Sequence, residues 1–167
     1  MRHTMLGLLV FVAACGSQSV SPTEPSDFRA AAGTQAAAQG RVPNVEVTFT
    51  KWPDPSFPTF AGVAGGDVPG TFAATVVDRT IFDNGNITKL VADYQVIANE
   101  AEHSFVARIE GTQNNQTQKA VLNGTITDGW LVGARVHVTF DVIRPCPEYD
   151  KAVCFTGVVR VMSGSAE

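Results

Sequence analysis

From residue 44 onward the apolar residues recur at every second position, and that period constrains the fold more than any other feature of this 167-residue chain. In "NVEVTFT" Val45, Val47 and Phe49 alternate with Glu46, Thr48 and Thr50. In "GARVHVTFDV" Val136, Val138, Phe140 and Val142 point one way, while Arg135, His137, Thr139 and Asp141 point the other. Phe105, Ala107 and Ile109 repeat the pattern against Ser104, Arg108 and Glu110, as do Phe155, Val159 and Val161 against Thr156 and Arg160. A period of two is that of a strand with one buried face. No stretch after residue 43 carries the 3.6-residue period of an amphipathic helix, so the chain reads as all-β.

The breaks between these runs are evenly spaced. "DNGN" at 83–86 divides an alternating run at 71–82 from another at 87–97, and Asn-Gly marks a hairpin because both turn positions tolerate positive φ. "NEAE" at 99–102, "TQNNQT" at 112–117 and "TDG" at 127–129 interrupt the chain in the same way. Seven or eight strands joined as a meander follow, over a domain spanning residues 43–167. The expected fold is a single antiparallel up-and-down barrel; a two-sheet β-sandwich is the alternative. Closure favours the barrel because it removes exposed sheet edges, and Gly124, Gly133 and Gly157 within strand patterns suit sharp coiling.

The segment least like its surroundings is "TKWPDPSFPTFAGVAGGDVPG", residues 50–70, with four prolines and the aromatics Trp52, Phe57 and Phe60. It reads as a loop of about twenty residues, a length that is often functional. Its aromatics either form a ligand- or partner-binding patch or fold back to plug one barrel end.

Other chemistry is sparse. With 12 Lys and Arg against 16 Asp and Glu, and no basic face, nucleic acid is not an expected partner. No Ser occupies a Gly-x-Ser-x-Gly context, no Gly-rich loop runs from a strand into a helix, and no histidine stands at metal-ligand spacing. No cofactor, metal or catalytic residue is therefore expected. Arg135, His137 and Asp141 share one parity: they form a small polar site if that face lines a lumen, and a solvated wall if it faces outward.

The amino terminus differs in kind. Met1-Arg2-His3-Thr4 supplies a positive start, Met5 to Val12 an apolar run and Ala13-Ala14 a small-residue site, the three parts of a secretory signal. The run is far shorter than the roughly 20 residues of a membrane-spanning helix. Val12-Ala13-Ala14-Cys15 resembles a bacterial lipobox, which implies cleavage after residue 14 and lipidation of Cys15. The alternative is ordinary signal cleavage, leaving a spare thiol. Gly16 and Ser17 differ from the Asp that resembles an inner-membrane retention signal in enteric-type bacteria, so the resemblance implies an outer-membrane lipoprotein of the cell envelope.

Residues 15–42 then form the lipidated cysteine and a linker rich in Ser, Pro, Ala, Gln and Gly. Such a composition buries too little surface to offset ordering entropy, so this is a disordered tether. Some 25 residues of it span roughly 30 Å on average. An oxidising envelope also gives Cys146 and Cys154 a reading: they bracket "PEYDKAV" between two expected antiparallel strands, within reach of a disulfide. Two free thiols are the alternative.

"LNGTITDGWLVGARVHVTF" followed by "FTGVVRV" resembles the last strands of small calycin-like barrels, including those related to allene oxide cyclase and dirigent proteins. No catalytic motif of those families is matched, so the resemblance implies a fold and no activity. Two functions are carried forward. The first is a non-enzymatic, membrane-anchored lipoprotein that binds a small apolar ligand or another envelope component. The second is a cyclase- or isomerase-type enzyme in the same barrel.

Overall fold

In the computed structural model, residues 44–162 are described. The expected signal segment 1–14, the expected lipidation site Cys15 and the whole expected tether to residue 42 lie outside the described residues. Within them, eight strands follow in chain order: β1 Val45–Pro53, β2 Thr59–Gly66, β3 Gly70–Phe82, β4 Ile87–Ala98, β5 Phe105–Asn114, β6 Lys119–Gly129, β7 Arg135–Ile143 and β8 Cys154–Met162. Each pairs antiparallel with its chain neighbour, and β1 pairs with β8 to close a barrel. Closure rules out the sandwich.

Alternation is the reason these segments close around a core. Leu122, Val138, Val159 and Val47 stand opposite one another on β6, β7, β8 and β1, and each is at most 1% exposed. Branched side chains suit this pleated inner wall, and burying each contributes about 1.5–3 kcal/mol. The outward set carries cross-strand ion pairs, Arg108 with Asp93, Lys119 with Asp141, and Arg160 with Glu46, beside exposed apolar residues such as Ile97 and Val121.

The turns follow local chemistry. Asp83, Asn84 and Gly85 all take positive φ at the β3–β4 tip, as the Asn-Gly signal requires. Gly124 and Gly157 lie in strands as expected; a Cβ on Gly124 would stand 2.0 Å from the Arg108 carbonyl oxygen, so only glycine permits the close approach at that bend. Gly133 does not belong with them. It sits in the β6–β7 turn at φ 87°.

The twenty-residue loop expected over 50–70 is not formed. β1 continues to Pro53, a turn occupies 54–58, and β2 begins at Thr59. The inward positions of β2 after Phe60 are Gly62 and Ala64, too small to print an alternating apolar pattern. They are small because space demands it: a Cβ on Gly62 would meet the Thr50 carbonyl oxygen at 2.2 Å.

The two ends of the barrel are built differently. The β2–β3, β4–β5 and β6–β7 turns cap one end, where Val68, Phe105, Ile126 and Val136 are buried. Strand β1 also begins at this closed end. The β1–β2, β3–β4, β5–β6 and β7–β8 turns surround the other end, which holds a cavity.

Candidate functional site

The inward series Val45, Val47 and Phe49 continues to Lys51, which is only 4% exposed. At this inward barrel position the amine is withdrawn from bulk solvent. Its Nζ instead hydrogen-bonds the hydroxyl of Tyr94, delivered from β4 and also buried. Six rings surround the nitrogen: Tyr94 at 3.9 Å to its centroid, Phe60 and Phe140 at 5.2 Å, Phe49 at 5.6 Å, Phe155 at 5.8 Å and Phe72 at 5.9 Å.

Two effects compete over the charge of that amine. An aromatic face attracts an ammonium by about 0.5–2 kcal/mol, but five of the six rings stand beyond 5 Å. Withdrawing the ion from water costs several kcal/mol, and among the described residues no carboxylate pairs with Lys51. Desolvation prevails. Burial holds the Lys51 amine well below the ordinary lysine range and pushes the Tyr94 phenol up, so the site disfavours the charged form of each partner.

Above this pair lies a cavity of about 170 Å³. Lys51, Phe60, Phe140 and Phe155 form its floor and inner wall, with Val76 and Leu90 beside them and Phe57, Arg79, Thr88, Gln113 and Arg144 toward the rim. The rings are in mutual edge-to-face contact, Phe60 with Phe155 at 5.5 Å and Phe140 with Phe155 at 5.7 Å. A β-bulge aims one of the cations. The register of β3 against β4 shifts between Val76 and Asp78, which leaves Val77 exposed and turns Arg79, opposite Leu90, to the cavity side. Its guanidinium lies 5.4 Å over Phe57, a ring that remains 50% exposed at the mouth. Asn115 organises the polar rim by donating to Thr88 Oγ1 at 2.9 Å and accepting from Gln113 Nε2 at 2.7 Å.

Eight-stranded barrels leave just enough interior for side chains or one small ligand. This one has both. Cavities near 150 Å³ hold a benzene-sized guest, whereas drug-sized ligands occupy about 300–1,000 Å³. The space therefore suits a molecule of about one ring.

The expected site residues divide among three places. Phe60 lies inside and Phe57 at the rim, so the aromatic segment does supply part of the barrel mouth. Trp52 does neither: it stacks outside on Tyr149 at 4.9 Å, beneath the β7–β8 connection. That connection carries the Cys146–Cys154 disulfide, whose Cα atoms are 5.8 Å apart.

Arg135, His137 and Asp141 do not converge in the lumen. They stand on the outer wall of β7, where His137 Nδ1 meets Asn123 Oδ1 at 2.9 Å and Asp141 receives Lys119 Nζ at 2.8 Å. Of the two alternatives the outward-facing wall holds, because Val136, Val138, Phe140 and Val142 already fill the inward positions of that strand. Lys51 and Tyr94 were not singled out by sequence. The signal was present for Lys51: extending the parity of β1 by two residues places it inside.

Comparison with protein-family models, with curated proteins and with solved structures returns no match for this chain.

Proposed function

We propose that this protein is a lipid-anchored lipoprotein of the bacterial cell envelope, most fittingly of the outer membrane, whose barrel binds a small, largely apolar ligand of about one ring. The observation that carries the ligand reading is the aromatic-walled cavity at one end of an otherwise filled barrel. Its walls offer apolar contact, and its few polar groups, Lys51 on the floor and Arg79 and Arg144 at the rim, are placed to orient a guest with one polar end. The mouth lies at the end of the barrel opposite Val45, the first residue of β1. The anchor reading rests on the lipobox resemblance of residues 12–15 and, with a disulfide between Cys146 and Cys154, on Cys15 being the cysteine left over.

Native mass spectrometry of the extracted protein tests the ligand reading. A small co-purifying mass, released on denaturation and lost after Phe60→Trp narrows the cavity, is the expected result; a protein that neither carries such a mass nor takes up toluene overturns it. Metabolic labelling with a fatty acid tests the anchor, which requires incorporation into the wild type and none into Cys15→Ser.

A further inference from the structure

We infer that Lys51 is a covalent capture site for a small aldehyde or ketone, its Nζ adding to the carbonyl carbon to form an imine inside the barrel. This rests on the ligand reading above and names the ligand's reactive group.

The geometry supplies what such a reaction needs. Nζ is within 5.2–5.8 Å of the centroids of Phe60, Phe140 and Phe155, three rings that line the cavity, so the amine borders the space a guest would occupy. The hydrogen bond to Tyr94 fixes its position. A lysine becomes a nucleophile when its surroundings strip its proton, and an apolar pocket is one way to do so. Among the described residues no acid pairs with the amine to draw it back to the charged form.

The steps balance within the site. The nitrogen lone pair bonds to the carbonyl carbon while the carbon–oxygen π pair moves to oxygen, and a proton passes from nitrogen to that oxygen to give a carbinolamine. A second proton from nitrogen and the hydroxyl group then leave as water, and the carbon–nitrogen double bond forms. No oxidant or reductant enters. The Tyr94 hydroxyl, beside Nζ, is placed to relay the proton toward the departing oxygen. The aromatic floor, Phe60, Phe140 and Phe155, gives the imine apolar surroundings on that side.

The test treats the full-length protein with benzaldehyde and cyanoborohydride, which fixes an imine as a stable benzyl amine, and maps the product by peptide mass spectrometry. The chain has three other lysines, Lys89, Lys119 and Lys151, all exposed, as internal references. Occupancy at Lys51 should exceed that at each of them by about tenfold or more. Lys51→Met should abolish only that adduct. In the wild type, excess toluene should suppress labelling at Lys51 alone, a readout that does not depend on the variant folding. Labelling confined to the exposed lysines overturns the inference. If toluene raises the melting temperature while benzaldehyde leaves Lys51 unmodified, the carbonyl inference falls and the ligand reading stands; if neither compound acts, both fall. Benzoate serves as a third ligand: protection of Lys51 by benzoate together with no benzyl adduct would mean an acid-binding amine and would also overturn the inference.

Discussion

The two ends of this barrel share the same strands and the same inward parity, yet they do different things with them. Toward the closed end Val45, Ile126, Val136 and Val161 fill inward strand positions, and Val68 of the β2–β3 turn and Phe105 close the base; all are buried. Toward the mouth the inward positions are Lys51, Phe60, Phe140 and Phe155, arranged around a cavity. At the closed end branched side chains and the Phe105 ring are buried against one another. Around the mouth the rings and Lys51 line a cavity instead. Alternation therefore decides which face of a strand is inside, while the kind of side chain at each inward position decides whether that interior is filled or open.

The largest effect should come from the filled end. Phe105→Ala, at a residue 2% exposed, should cost about 3–5 kcal/mol in urea denaturation because the walls around it cannot collapse into the gap. A loss below about 1 kcal/mol would mean that the closed end is loosely packed and that the contrast between the ends is wrong. Next in size is the disulfide, which fastens the β7–β8 connection at the rim of the mouth. Cys146→Ser with Cys154→Ser should cost about 2–3 kcal/mol in the chain-entropy model for a loop of this size. Alkylation of two thiols in the untreated protein would remove the bridge from the account altogether.

What the sequence revealed tracks this same division. Strands whose inward positions are large and apolar were legible: β3 and β4 were bounded to within a residue, and the β1, β5, β7 and β8 parities hold position by position. β2 was not legible, because backbone crowding reduces its inward positions to Gly62 and Ala64, and a run of small residues among prolines looks like a loop. The cavity was half legible. Phe57 and Phe60 drew notice as unusual aromatics, but Trp52 drew equal notice and faces outward. Lys51 was hidden by expectation, since a lysine after an alternating run is read as the end of the strand; Tyr94 was hidden because a tyrosine among Val and Ala looks like ordinary core. The bulge that turns Arg79 inward depends on a register shift that no local pattern announces.

The Lys51–Tyr94 pair should reveal itself through pH. In the unfolded chain a lysine titrates near 10.4 and a tyrosine near 10. With the folded Lys51 value depressed, the unfolded chain binds the extra proton between the folded and unfolded values, so stability falls as pH drops through that window and is fully restored only above it. With the folded Tyr94 value raised, the folded chain holds the extra proton above about pH 10, so stability falls again there. The difference in stability between wild type and Lys51→Met/Tyr94→Phe should thus peak near pH 10, each limb changing by at most about 1.4 kcal/mol per pH unit. Tyr94→Phe alone should cost about 1–3 kcal/mol, because it strands the buried amine without a partner, whereas the double variant replaces both groups and should recover most of that loss. A flat difference curve between pH 7 and pH 11 would place a charged, solvated amine at the floor of the cavity.

The smallest effect on stability should fall on the other terminal phenylalanine. Phe57 is 50% exposed, touches Phe60 at 6.3 Å between centroids and lies under the Arg79 guanidinium, so Phe57→Ala removes little buried area and should cost under about 1 kcal/mol. Its consequence should appear in exchange. The ring lines the mouth, so a guest of the proposed kind would pass it on leaving, and affinity differences between related complexes lie mostly in the exit rate. Stopped-flow release of toluene from Phe57→Ala should therefore be faster than from wild type, with the melting temperature nearly unchanged. Phe105 and Phe57 would then mark the two ends by opposite signatures, one a loss of stability and the other a loss of retention. Equal release rates would show that the mouth is already open and that Phe57 is a rim residue with no hold on what lies beneath it.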